Sequence, residues 1–89
     1  MEIDLHTIRC VFQDVLSGRL SREQADRWAY SVVQQEEAGT LTYSPAADKA
    51  RIWAGVMYLY GVDMMNAPNE YLHSDEDIQA AMKEKLGDQ

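Results

Sequence analysis

The run His73-Ser74-Asp75-Glu76-Asp77 puts an imidazole beside three carboxylates, donor types that together can hold a transition metal. The local pattern gives those carboxylates another task. Ser74 is a helix N-cap residue, so Asp75, Glu76 and Asp77 fall in a first turn, where the helix dipole favours negative charge. The other histidine, His6, belongs to a different segment and lies among polar positions, so no metal site is expected. Cys10 falls off the apolar face of its helix without an identifiable histidine and carboxylate set to activate it, and reads as a half-buried small hydrophobe. GxGxxG, P-loop, CxxC and HExxH motifs do not occur. Neither a cofactor nor catalysis is expected.

The positive signals are charges and aromatics. In the second amphipathic segment Glu23, Asp26, Tyr30 and Glu37 cluster about 130° from the middle of the apolar stripe, an acidic face with a tyrosine in it. Such a face suits a basic partner, or is a solvated surface steadied by a Glu23–Arg27 pair at i, i+4. Tyr58 lies outside the apolar arc of the third segment, near Arg51 and beside Ala54 and Gly55. Either its ring stands exposed over a shallow groove, or the connection that follows folds back over it. Asp63, Glu70, Tyr71, Asp75, Glu76 and Asp77 form the densest acidity in the chain. These three groups are the candidate partner-binding residues.

Four helical segments must position them, over approximately 3–17, 22–38, 45–60 and 75–86, with no significant sheet. In the first, Leu5, Ile8, Val11, Phe12, Val15 and Leu16 share one arc, and Gly18 supplies the stop. Ser21-Arg22-Glu23-Gln24 has capping-box spacing and starts the second, whose apolar face is Ala25, Trp28, Ala29, Val32 and Val33. Thr40-Leu41-Thr42-Tyr43 alternates like a strand but has no partner run, and reads as a loop. Ser44 as N-cap and Pro45 at the first helical position open the third, with Ile52, Trp53, Val56, Met57, Leu59 and Tyr60 on a wide apolar arc. Residues 62–73, with Pro68 and two Asn, are too broken for regular helix. Ser74 starts the fourth, which buries Ile78, Ala81 and Met82 and ends on Lys83 and Lys85. Trp28 and Trp53 are assigned to the core, and the methionines to gap filling. The fold class is all-α, a compact bundle.

With 89 residues the chain has room for one domain, 1–89, and its 46% apolar and 26% charged content is ordinary for a globule. Fifteen Asp and Glu against eight Lys and Arg give a formal charge of −7, a field that repels phosphate backbones and disfavours direct nucleic-acid binding. One cysteine permits no internal disulfide, and Met1-Glu2-Ile3-Asp4 is acidic where a signal peptide is basic, so a cytoplasmic location is expected. The longest uncharged stretch, 52–62, is far short of the roughly 20 apolar residues that span a bilayer.

Two stretches carry a resemblance: Leu16-Ser17-Gly18-Arg19-Leu20-Ser21-Arg22-Glu23-Gln24-Ala25-Asp26-Arg27-Trp28-Ala29, and the later Ile52-Trp53, Leu59-Tyr60-Gly61-Val62-Asp63 and Tyr71-Leu72-His73-Ser74-Asp75-Glu76-Asp77-Ile78. The chain resembles small acidic bacterial helical proteins, some of which look like immunity proteins of polymorphic or contact-dependent toxin systems. The tyrosine-pair motif of nuclease-colicin immunity proteins is not found, because Leu59 separates Tyr58 from Tyr60. The resemblance implies a cognate basic toxin domain, a nuclease being one candidate, held on an acidic surface; the residues themselves offer Tyr30, Tyr58 or Tyr71 as anchors. The rival expectation is a helical adaptor or regulatory module that binds a host protein or itself.

Overall fold

Asp4 is the hinge between extended chain and helix at the start of the molecule. In the computed structural model, which describes residues 1–67 and 70–87, its carboxylate accepts the Thr7 backbone N–H at 2.8 Å and the Thr7 hydroxyl at 2.7 Å, capping α1 (Leu5–Ser17). Those bonds, the backbone one foremost, hold the Asp4 carboxyl below its ordinary value. The expected start at residue 3 is therefore too early. Glu2–Ile3 instead forms β1, which pairs in parallel with β2 (Thr42–Tyr43) in the register Glu2↔Thr42, Ile3↔Tyr43. The alternation at 40–43 does have a partner, two residues long and placed before the first cap.

α2 (Arg22–Glu37) begins at the expected capping box. The Ser21 hydroxyl accepts the Gln24 N–H at 3.0 Å, and the Gln24 side chain accepts the Ser21 N–H at 2.9 Å. Gly18 turns the chain between α1 and α2 at φ 82°, a left-handed conformation that a β-carbon would strain. The third helix departs most from expectation. Pro45 is extended (φ −73°, ψ 158°), so it cannot serve as the first helical residue; a 3-10 turn over Ala46–Asp48 intervenes, and α3 is Lys49–Leu59. Ser44 caps nothing. α4 (Asp75–Leu86) carries a second capping box, Ser74 with Asp77, and has the expected bounds.

Residues 62–73 hold two short strands, β3 (Met65–Ala67) and β4 (Glu70–Tyr71), paired antiparallel. The break expected at Pro68 lies outside the described residues. The result is the mostly-α compact bundle that the periodicity predicts, with strands only at its edges.

The core is built on Ile8, Phe12, Ile52, Val56, Leu59, Ile78 and Leu86, all fully buried, with Ala25, Ala29 and Val32 of α2 closing one side. α3 packs against both ends of α4: Gly55 lies against Leu86, and Tyr58, one turn on, has His73 5.0 Å from its ring on one side and Lys85 Nζ 5.8 Å from it on the other. Gly55 sets how close the helices come, since a β-carbon there would lie 2.7 Å from Ile8 Cγ2 and 3.0 Å from Leu86 Cδ2. This close approach also moves the tryptophans. Trp28 and Trp53 pack on the core from its flanks, half-buried, because the middle of each helix face is taken by small or branched residues that let the backbones approach. Among the described residues no helix is long and apolar enough to cross a membrane.

Candidate functional site

Between α3 and α4, Gly61, Tyr71, His73 and Asp75 lie against the first half of α2, and Glu23 and Asp26 of that helix are spent on holding Tyr71 and Gly61. Arg22, its side chain only 13% exposed, donates Nη1 to the His73 carbonyl at 2.5 Å and Nη2 to Asp75 Oδ1 at 2.9 Å, with its guanidinium 4.4 Å from the centre of the Tyr71 ring. The Tyr71 hydroxyl donates to the Glu23 carboxylate, 2.9 and 3.0 Å from its two oxygens. That bond raises the phenol above its ordinary value, with desolvation adding to it. One turn on, Asp26 Oδ1 accepts the Gly61 backbone N–H at 2.7 Å. Near the far end of α2, Glu36 accepts the Tyr43 hydroxyl at 3.0 Å; burial, then this bond, pushes Tyr43 up to about 12.

The expected acidic face of α2 is thereby dismantled. Glu23 and Asp26 are half-buried and bonded inward, and Glu23 serves Tyr71 in place of the expected i, i+4 pair with Arg27. Glu37 and Tyr30 stay exposed, and Tyr30 stacks on Tyr60 at 5.9 Å between ring centres. Tyr60, expected in the apolar arc, is 42% exposed because α3 ends at Leu59 and the chain turns out of the helix at Tyr60.

Of the two outcomes open for Tyr58, the covered one holds. Its ring stacks on Phe12 at 5.9 Å and lies 5.0 Å from His73, and its hydroxyl is buried without a partner among the described residues. Burial, with Asp77 second, raises its pKa. In the third patch Glu70, Asp75, Glu76 and Asp77 are exposed while Asp63 and Tyr71 are half-buried. Asp75 pairs with Arg22, and Asp77 completes the α4 cap. The two acidic groups therefore meet at the Glu23–Tyr71 hydrogen bond, while Tyr58 is covered.

His6 Nε2 lies 3.6 Å from Cys10 Sγ, an i, i+4 neighbour that the sequence reading did not pair with it. Among the described residues no three His, Cys, Asp or Glu side chains gather as a metal set.

Beside the exposed Tyr30 and Glu37, α2 presents to solvent a stripe that contains no acid. Gln24, Arg27, Ser31 and Gln34 are all exposed and, at about 100° per residue, fall within an arc of about 80°. No carboxylate lies within 4.0 Å of the Arg27 guanidinium among the described residues. Arg19 in the preceding turn is 81% exposed, with the Asp14 carboxylate 4.0 Å away. The signal was available: hydrogen-bonding side chains recur at i, i+3, i+7 and i+10 without an acid among them.

Comparison with known proteins bears on the class of partner. A model of the YxzC DNA-binding protein family matches residues 3–85. The chain belongs to that family. It is also 26% identical over 83 residues to the uncharacterized protein YxzC of Bacillus subtilis (strain 168), a match that covers 91% of this chain. The chain spans 62% of that relative's length. No solved structure matches it.

Membership in this family overturns the toxin-immunity reading and, with it, the basic toxin partner. The regulatory alternative stands closer to this finding, but a DNA-binding family does not support the host-protein partner on which it was built. The exclusion of nucleic acid is also corrected. It rested on a net charge summed over the whole surface, whereas docking is governed by the field of one face, and several α2 carboxylates are turned away from the outer one.

Proposed function

We propose that this chain is a non-enzymatic DNA-binding module that acts in the cytoplasm and docks through the outer face of α2. The observation that carries the reading is the exposed stripe Gln24, Arg27, Ser31 and Gln34, which contains no acid, with Glu23 beside it bonded to Tyr71 and Asp26 bonded to Gly61. The family's description as DNA-binding supports it. So does the connection from α1 to α2: four residues, 18–21, with a glycine, the length used where a second helix is offered to the major groove. Arg19 in that turn and Arg27 on the helix are placed to meet phosphate or base edges.

Binding by such a face is modest, because the remaining acidity opposes it. The test is fluorescence anisotropy of a short labelled duplex titrated with the protein over a range of salt. Replacing Arg19 and Arg27 together by Ala should weaken binding and, if both meet phosphates, flatten the slope of log K against log salt by about 1.8. Glu76→Gln, which removes one exposed charge of the third patch, should strengthen it. Absence of binding at low salt, or binding indifferent to the arginines, would overturn the proposal.

A further inference from the structure

Resting on that DNA-binding reading, we infer that Arg27 and Gln34 are the base-reading residues, taking guanine and adenine respectively at positions about three base pairs apart in the major groove.

The four exposed side chains of the stripe are not equally free. The Gln24 amide oxygen is committed to the Ser21 N–H in the capping box, and the Ser31 hydroxyl donates to the Trp28 carbonyl at 2.6 Å. Gln24 therefore lacks the free donor and acceptor pair that bidentate recognition needs, and Ser31 offers only lone pairs. Among the described residues the Arg27 and Gln34 side chains have no hydrogen-bond or ion-pair partner. Both are exposed.

They are seven residues apart, which puts them about 20° from one another on the wheel and about 10.5 Å apart along the axis. DNA advances about 3.4 Å per base along a strand, so this rise corresponds to roughly three base steps. A guanidinium fork matches guanine O6 and N7, and a primary amide matches adenine N6 and N7. Tyr30 lies between them but to one side, held against Tyr60, where it narrows the ways a duplex can lie along the helix.

The experiment is selection of bound duplexes from a randomised library using the full chain, repeated with Arg27→Ala, Arg27→Lys and Gln34→Ala, each checked for a native unfolding midpoint. The expected result is enrichment of a guanine and an adenine about three positions apart. Arg27→Ala should erase the guanine preference alone, Gln34→Ala the adenine preference alone, each a loss of about tenfold in discrimination. Arg27→Lys should keep most of the affinity while losing the guanine preference, since it keeps the charge without the fork. Duplex binding with no base preference, or a preference that survives both alanine variants, would overturn this inference and leave DNA binding standing. Failure to bind any duplex would overturn the DNA-binding reading and this inference together.

Discussion

The seam where α1, α3 and α4 meet and the contact of residues 61–67 and 70–75 with α2 are held together by opposite means. The seam is apolar and so close that Gly55 has no room for a β-carbon, whereas the second contact is held by Arg22, Glu23 and Asp26 through hydrogen bonds reachable by water. Burial without direction makes the first insensitive to salt and pH but intolerant of volume. Directed polar bonds make the second tolerant of volume but dependent on the state of each partner. The second contact also determines which side chains of α2 are left for a ligand, so the less robust region shapes the candidate site.

The largest effect should come from emptying the seam. Phe12→Ala, which removes a fully buried ring stacked on Tyr58, should cost about 3–5 kcal/mol, read as a lower urea midpoint at unchanged slope. Overfilling it is next: Gly55→Val should cost about 1–3 kcal/mol, and a neutral result would mean that Ile8 and Leu86 can withdraw. Either outcome at Gly55 measures how rigid the apolar half is.

The polar contact responds differently. Arg22→Met keeps the volume but loses both hydrogen bonds and the charge over Tyr71, and should cost about 1–3 kcal/mol. Its sharper readout is the Leu72 amide, bonded to the Met64 carbonyl at 2.8 Å, which in hydrogen exchange should lose protection more than amides of the seam. Equal loss in both regions would show that the two contacts unfold as one unit.

The smallest effects are those of pH. The Asp4 carboxyl is lowered in the fold, so the protein binds fewer protons there than the unfolded chain; its contribution is present above the ordinary value of 3.8 and is lost as pH falls below it. Acid unfolding of Asp4→Asn should accordingly be flatter in that range. Tyr43 has the opposite sign. Raised from 10.0 to about 12, it contributes in full below 10 and loses that contribution as pH rises toward 12, so Tyr43→Phe should soften the alkaline limb. Neither change should move the Phe12 or Gly55 results.

Much of the fold was legible residue by residue. The capping boxes at Ser21 and Ser74 involve contacts three residues apart, and α2 and α4 start where those signals place them. The third helix was misjudged because Ser44-Pro45 satisfies a start rule whose outcome depends on the backbone angle of Pro45, and that residue is extended beside β2. The candidate site was less legible. Glu23, Asp26 and Arg27 look alike in a helical wheel as charged positions on an outer face, yet two are bonded to residues 35 and 48 positions away and one is free.

What the sequence alone determined is therefore what local chemistry determines: an all-α chain, its caps, its apolar stripes and its total charge of −7. Where that charge is exposed was decided only by the tertiary structure. Gly61 and Tyr71, lying against α2, convert Asp26 and Glu23 from surface acids into hydrogen-bond acceptors. A net charge is a sum over residues and survives folding unchanged, but the field at one face depends on which carboxylates point there, and that is set by contacts between residues far apart in the chain.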